Sequence, residues 1–152
     1  MSLYWEDIRE GDEVTPLSAI ASTRTLVKFA GATGDFNPLH YEGTFAARQG
    51  VDRPIVHGQL KRAWLVHMLT DWIGEAGTLR KFSCQFRAVD YPRLMESNLE
   101  AAEGETWWCR GKVTRKYQEG SEHLVDCDVR VENGSGQPTT IGHATAALPV
   151  RG

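Results

Sequence analysis

Asp35 and His40 stand five residues apart in the run Ala32-Thr33-Gly34-Asp35-Phe36-Asn37-Pro38-Leu39-His40. A carboxylate and an imidazole are side chains that move protons near neutral pH. Neither helix nor strand geometry would bring them together at this offset, because five is not a same-face helical spacing. Pro38 restricts Asn37 to an extended or turn conformation. The pair is therefore read on a rigid bend just after a helix, converging on one small reactant such as a water molecule.

Each residue also has a plainer reading. An isolated Asp after a Gly most often caps a turn, and an isolated His is most often a surface group or a satisfied core group. The spacing from Asp35 favours chemistry for His40, and the full run around Asp35 favours chemistry there too. Asn37 is read as bonding the loop backbone with its amide, and Pro38 as stiffening it. His57 precedes a helix and is read as packing or hydrogen bonding there, with substrate contact as the alternative. His67 is read as a satisfied core residue, Trp64 and Trp72 as core or interface, and His143 as a strand residue without a role. His40-Tyr41-Glu42 lacks the following Pro-Cys-x-x-Cys of a zinc deaminase. No histidine pair has helical metal-ligand spacing, and no helix follows Gly134-Ser135-Gly136 to make it a phosphate loop. A Gly-x-Ser-x-Gly elbow is absent as well.

The elements that must hold these residues can be read along the chain. Residues 12–20 read as an edge strand, because Pro16 excludes a central one. Ser22 and Thr23 cap a helix that runs to about Ala32, with Leu26, Phe29 and Ala30 as its apolar stripe and Gly34 as its end. A short helix is expected over 42–48, stopped by Gly50. The longest helix is expected from Gly58 to about Trp72. Its middle, Ala63-Trp64-Leu65-Val66-His67-Met68-Leu69, is apolar nearly all round, so it is read as buried on most sides. The second half alternates with period two over 82–88, 107–114 and 125–132, the pattern of half-buried antiparallel strands. Glu119-Gly120-Ser121 and Asn133-Gly134-Ser135-Gly136 are turns between them. A last strand is expected over 139–148, and a short one over 98–102. One buried helix followed by long antiparallel strands makes an α+β fold, a curved sheet wrapped around the helix. Its open edges call for a second subunit.

The chain has 152 residues, read as one domain over 1–152 that can bury a core without cross-links. Its net charge of -3 argues against nucleic acid or an anionic membrane as partner. The short cluster Arg110, Lys112, Arg115 and Lys116 reads as a solvated strand face, with carrier phosphates as the alternative. Cys84, Cys109 and Cys127 have no paired spacing and read as small buried hydrophobes in a reducing compartment. With no leader pattern and no membrane-length apolar run, a cytoplasmic protein is expected.

Thr33-Gly34-Asp35-Phe36-Asn37-Pro38-Leu39-His40, then Ala46, then Pro54-Ile55-Val56-His57-Gly58, resembles the MaoC-like acyl dehydratases, or (R)-specific enoyl-CoA hydratases. The Gly-Asp-x-Asn-Pro-x-His core matches at every fixed position. The tail Gly142-His143-Ala144-Thr145-Ala146-Ala147-Leu148-Pro149 is similar too, so the likeness runs from about residue 12 to 149. The resemblance implies a single hotdog fold and reversible hydration of a 2-enoyl thioester to an (R)-3-hydroxyacyl thioester. It implies that Asp35 and His40 hold the water, Asp35 as base and His40 as proton donor to Cα. It also implies that the Gly58 N–H, at the first turn of the helix, binds the thioester oxygen as an oxyanion hole. No metal or other cofactor is implied, since the acyl group rides on coenzyme A or acyl carrier protein. Active sites between two hotdog units imply a homodimer or higher homo-oligomer, or a heteromer with another hotdog subunit. The chain departs from relatives that carry a serine on the central helix: it has none between Gly58 and Gly77, and its first turns hold Lys61, Arg62 and Trp64. Two alternatives share the fold. One is an acyl-CoA thioesterase, the other a subunit of a heteromeric dehydratase for bulky acyl groups such as steroid side chains. A non-enzymatic acyl-CoA-binding subunit is a third, disfavoured by an intact Asp35 and His40.

Overall fold

The computed structural model describes residues 3–152. Strand β1 (Glu13–Ala19) leads to helix α1 (Thr23–Thr33), a 3-10 turn over Pro38–His40, short helix α2 (Gly43–Arg48) and long helix α3 (Gly58–Ile73). Four strands follow: β2 (Thr78–Phe86), β3 (Trp107–Glu119), β4 (Glu122–Glu132) and β5 (Pro138–Ala147). All five strands form one antiparallel sheet in the order β1-β3-β4-β5-β2. The α+β hotdog arrangement read from the sequence is therefore the one observed. β1 lies at one edge, and its register shifts between Val14 and Leu17, around Pro16, whose missing N–H the edge tolerates.

Local sequence chemistry sets the helix ends. Ser22 and Thr25 form a reciprocal capping box at the start of α1. Gly34 ends that helix at φ 76, a left-handed conformation that a side chain would strain. β3 and β4 join through a two-residue turn, Gly120-Ser121, between the paired Glu119 and Glu122. Asn133 Oδ1 closes the next turn by accepting from the N–H groups of Ser135 and Gln137.

The core lies between α3 and the concave face of the sheet. Leu65, Met68, Leu69 and Ile73 pack there with Trp107, Cys109, Val113, Val125, Cys127, Val129 and Val131. Each such aliphatic side chain contributes roughly 1.5–3 kcal/mol by leaving water. Along β3 the burial alternates strictly from Trp107 to Thr114, as the period-two pattern requires. Burial pushes the thiols of Cys109 and Cys127 up to about 12, with Asp126 and Asp128 adding to the effect at Cys127.

Several expectations need correction. α3 is buried on one face only: Arg62, Ala63, His67, Thr70 and Asp71 are exposed, because the sheet covers one side of the helix. His67 is not a core residue, and its Nε2 lies 3.1 Å from Asp71 Oδ2 on the exposed face. Cys84 is half-buried rather than buried, because β2 is an edge strand at the far side of the sheet. β2 starts at Thr78, earlier than its alternation suggests, and ends at Phe86. Residues 98–102 form no strand; one bridge joins Met95 to Ala101. There the Ser97 hydroxyl accepts from the N–H groups of Leu99 and Glu100, which turns the chain.

Candidate active site

The bend after α1 is held by its own polar groups. Thr33 Oγ1 accepts from Asp35 N at 3.2 Å, Asp35 Oδ1 from Asn37 N at 3.4 Å, and Asn37 Oδ1 from Leu39 N at 3.0 Å. Pro38 opens the 3-10 turn at a position where its missing N–H costs nothing. His40 N donates back to Asn37 O at 3.0 Å. Asn37 and Pro38 thus shape the loop, and the side chains of Asp35 and His40 are left half-buried.

His40 Nδ1 lies 2.8 Å from the carbonyl of Ile55. A carbonyl can only accept, so Nδ1 carries the hydrogen and Nε2 is the atom free for chemistry. His57 sits behind His40, fully buried, the two rings stacked at 3.7 Å and 20°. Its Nε2 is 3.3 Å from the backbone oxygen of Asp35, and its Nδ1 is buried without a partner. Phe29 meets it edge-on at 4.9 Å. Burial first, then the charge of His40, holds the His57 pKa below the ordinary 6.5, so the inner ring is neutral.

Asp35, His40 and His57 each bring one potential ligand atom within 4.8 Å of the others. Two groups bridged by one water, with hydrogen bonds of about 2.8 Å, stand roughly 4.6 Å apart. The spacing suits a shared water.

One cavity of about 350 Å³ is lined by Asp35, His40, Gly58, Lys61, Phe86 and neighbouring backbone. Gly58 is the first residue of α3, so its N–H has no carbonyl one turn back to bond. A Cβ at Gly58 would lie 2.7–2.9 Å from three ring carbons of Phe86, so the Phe86 ring packs directly on this residue. His57 lines a separate pocket of about 290 Å³ instead, with Leu26, Val27, Ala30, Phe36, His40 and Tyr41. A larger hollow of about 420 Å³ lies near the far end of α3, at Trp72 and Asp71; no histidine is among the residues that line it. Volume alone does not select the site; the convergence of acid, base and free N–H does.

The sequence reading passed over a buried ion pair in the same region. Lys61 Nζ lies 2.7 Å from Asp90 Oδ2, with both side chains nearly inaccessible (2% and 1%). The available signal was helical phase. Lys61 falls four, seven and eight residues before Leu65, Met68 and Leu69, on the stripe that faces the core. His143, on β5, pairs with Asp128 at 2.7 Å on the exposed face, remote from the dyad in the sheet.

Comparison with known proteins gives a consistent picture. The MaoC like domain family matches residues 9–117. An (R)-specific enoyl-CoA hydratase of Aeromonas caviae is 56% identical over 35 residues, 23% of this chain. That match spans about a quarter of the curated relative's length, 26%. The solved (R)-hydratase of A. caviae involved in PHA biosynthesis superposes with a TM-score of 0.76 at 23% identity, covering 95% of this chain and 99% of its own. The ChsH1-ChsH2 complex of Mycobacterium tuberculosis contains a chain that superposes at 0.74 with 19% identity, covering 92% of this chain and 98% of that one. At these identities the superpositions establish the shared fold. No helix among the described residues is long and apolar enough to cross a membrane.

Proposed function

This chain belongs to the MaoC-like domain family, and from that premise we propose that it hydrates a 2-enoyl thioester reversibly to the (R)-3-hydroxyacyl thioester. The observation that carries the reading is the meeting of Asp35, His40 and the free N-terminus of α3 on one cavity. The named activity of the A. caviae relative supports it.

Hydration needs an activated water at Cβ, a proton at Cα and a partner for the charge that grows on the thioester oxygen. Asp35 takes the proton from water as its oxygen bonds to Cβ. His40, as the imidazolium, gives its Nε2 proton to Cα while Nδ1–H stays on the Ile55 carbonyl, and the proton that Asp35 has taken returns to Nε2 to close the cycle. The Gly58 N–H and the positive end of α3 receive the thioester oxygen. These steps involve only proton transfer and charge stabilisation, so the reaction as proposed calls for no metal or redox cofactor. The acyl group arrives on coenzyme A or acyl carrier protein. We also propose that the working form is a homodimer or higher homo-oligomer, with a heteromer as the alternative that the ChsH1-ChsH2 relative brings to mind. A second subunit would cover the open face of α3 and the sheet edges.

The test is hydration of crotonyl-CoA, followed by loss of enoyl-thioester absorbance, with resolution of the product's stereochemistry. Formation of (R)-3-hydroxybutyryl-CoA supports the proposal. If a range of short, long and steroidal enoyl-CoAs all go unhydrated, the proposal fails. Release of free CoA instead would make the protein a thioesterase.

A further inference from the structure

Lys61 stands three residues into α3 from Gly58 and lines the same cavity as Asp35, His40 and Gly58. Its ammonium donates to Asp90 Oδ2 at 2.7 Å and to the carbonyl of Ala88 at 3.0 Å. An ammonium has three N–H groups, so one is unused within the chain. Asp90 does not line this cavity; it lines the neighbouring hollow beside Arg53 and Arg93. The ammonium, though enclosed, is bonded to the carbonyl of the cavity-lining Ala88 and lies 6.0 Å from the centroid of the Phe86 ring, so it is the end of the pair next to the candidate active site. Stability does not explain such a pair. Taking both ions out of water is costly, and apolar residues of similar volume usually serve a core as well or better. A buried cation on the wall of a catalytic cavity does have a use where negative charge develops.

We propose that the enclosed Lys61 ammonium, just behind the cavity wall, stabilises the charge that grows on the thioester oxygen and so reinforces the Gly58 N–H, with Asp90 as the positioning residue that holds it there. The inference rests on the hydratase reading. Asp90 also ties this wall to the loop before α3, because its carbonyl accepts from Val56 N at 2.8 Å. The same carboxylate-bearing residue thus orients both the ammonium and the approach to Gly58.

The test is the double variant Lys61→Met with Asp90→Leu, which removes both charges and leaves no orphan ion. It is assayed beside wild type and Asp35→Asn for kcat, KM and thermal midpoint. The expected result is a midpoint held or raised, kcat lower by about 10²-fold and KM little changed, the pattern of an interaction made in the transition state. Lys61→Arg, which keeps a cation and its donors, is expected to recover part of kcat. Wild-type kcat in the folded double variant overturns the proposal. Should that variant not fold, Lys61→Gln is judged by the same criterion. If wild type is active, Asp35→Asn is dead and the double variant is active, the Lys61 role alone falls. If wild type hydrates no enoyl thioester, the hydratase reading falls and takes this inference with it.

Discussion

Asp35 and His40 are half-buried side chains on a loop, so removing either should disable the site without unfolding the chain. Asp35→Asn and His40→Gln are each expected to lower kcat by about 10²–10⁴-fold, the usual worth of a positioned acid or base. Thermal midpoints close to wild type, measured alongside the absorbance assay, separate lost chemistry from lost fold. His57 behaves differently because it is fully buried and neutral. Its folded pKa is below the unfolded value, so the unfolded chain binds more protons as pH falls below about 6.5. The stability tied to a neutral His57 is complete above that pH and is lost as pH falls toward the folded pKa. Melts recorded from pH 8 to 5 should show this loss, and His57→Gln should flatten that part of the profile. An unchanged slope in the variant would mean that other groups set it. The dyad was legible in the sequence because two chemical side chains flanked a proline that dictates local geometry. The stacking of His57 on His40 was not, because it joins residues 17 apart through tertiary packing.

At the scale of elements, the approach of β2 to α3 governs what the first helical turn can hold. Gly58→Ala suits the helix, by up to about 1 kcal/mol of propensity. Its new Cβ would meet the Phe86 ring at 2.7–2.9 Å, so the ring must swing. Phe86 is 46% exposed and free to move outward, so the fold is expected to survive while the cavity wall shifts. We expect kcat/KM to fall with little change in midpoint. Phe86→Ala in the same background should recover part of the loss, a coupling that a double-mutant cycle measures. Additive effects would show that the two positions act independently. Most elements could be placed from sequence, because capping residues, left-handed glycines and period-two strands are local signals. α1 shows this well: Ser22 and Gly34 bound it at both ends. The stretch 98–102 failed for the opposite reason, because one serine hydroxyl bonding two backbone N–H groups outweighs a short apolar pattern.

For the whole molecule, the open question is what covers the outer face of α3 and the edges β1 and β2. The proposed homodimer predicts a solution mass near twice the chain's 17.0 kDa by light scattering at assay concentrations. A stable monomer with hydratase activity would contradict it, and an inactive monomer would direct attention to a second, different chain. The sequence by itself determined the bend that carries Asp35 and His40, the helix caps, the strand alternation and the family to which the chain belongs. Each of these is encoded within a short stretch, where proline, glycine and side-chain period constrain neighbouring backbone directly. The tertiary structure alone decided that the Phe86 ring packs on Gly58 and that Lys61 meets Asp90. Those facts depend on contacts between residues 28 and 29 apart along the chain, and the path between them is set by how α3 packs into the sheet. No local propensity carries that information.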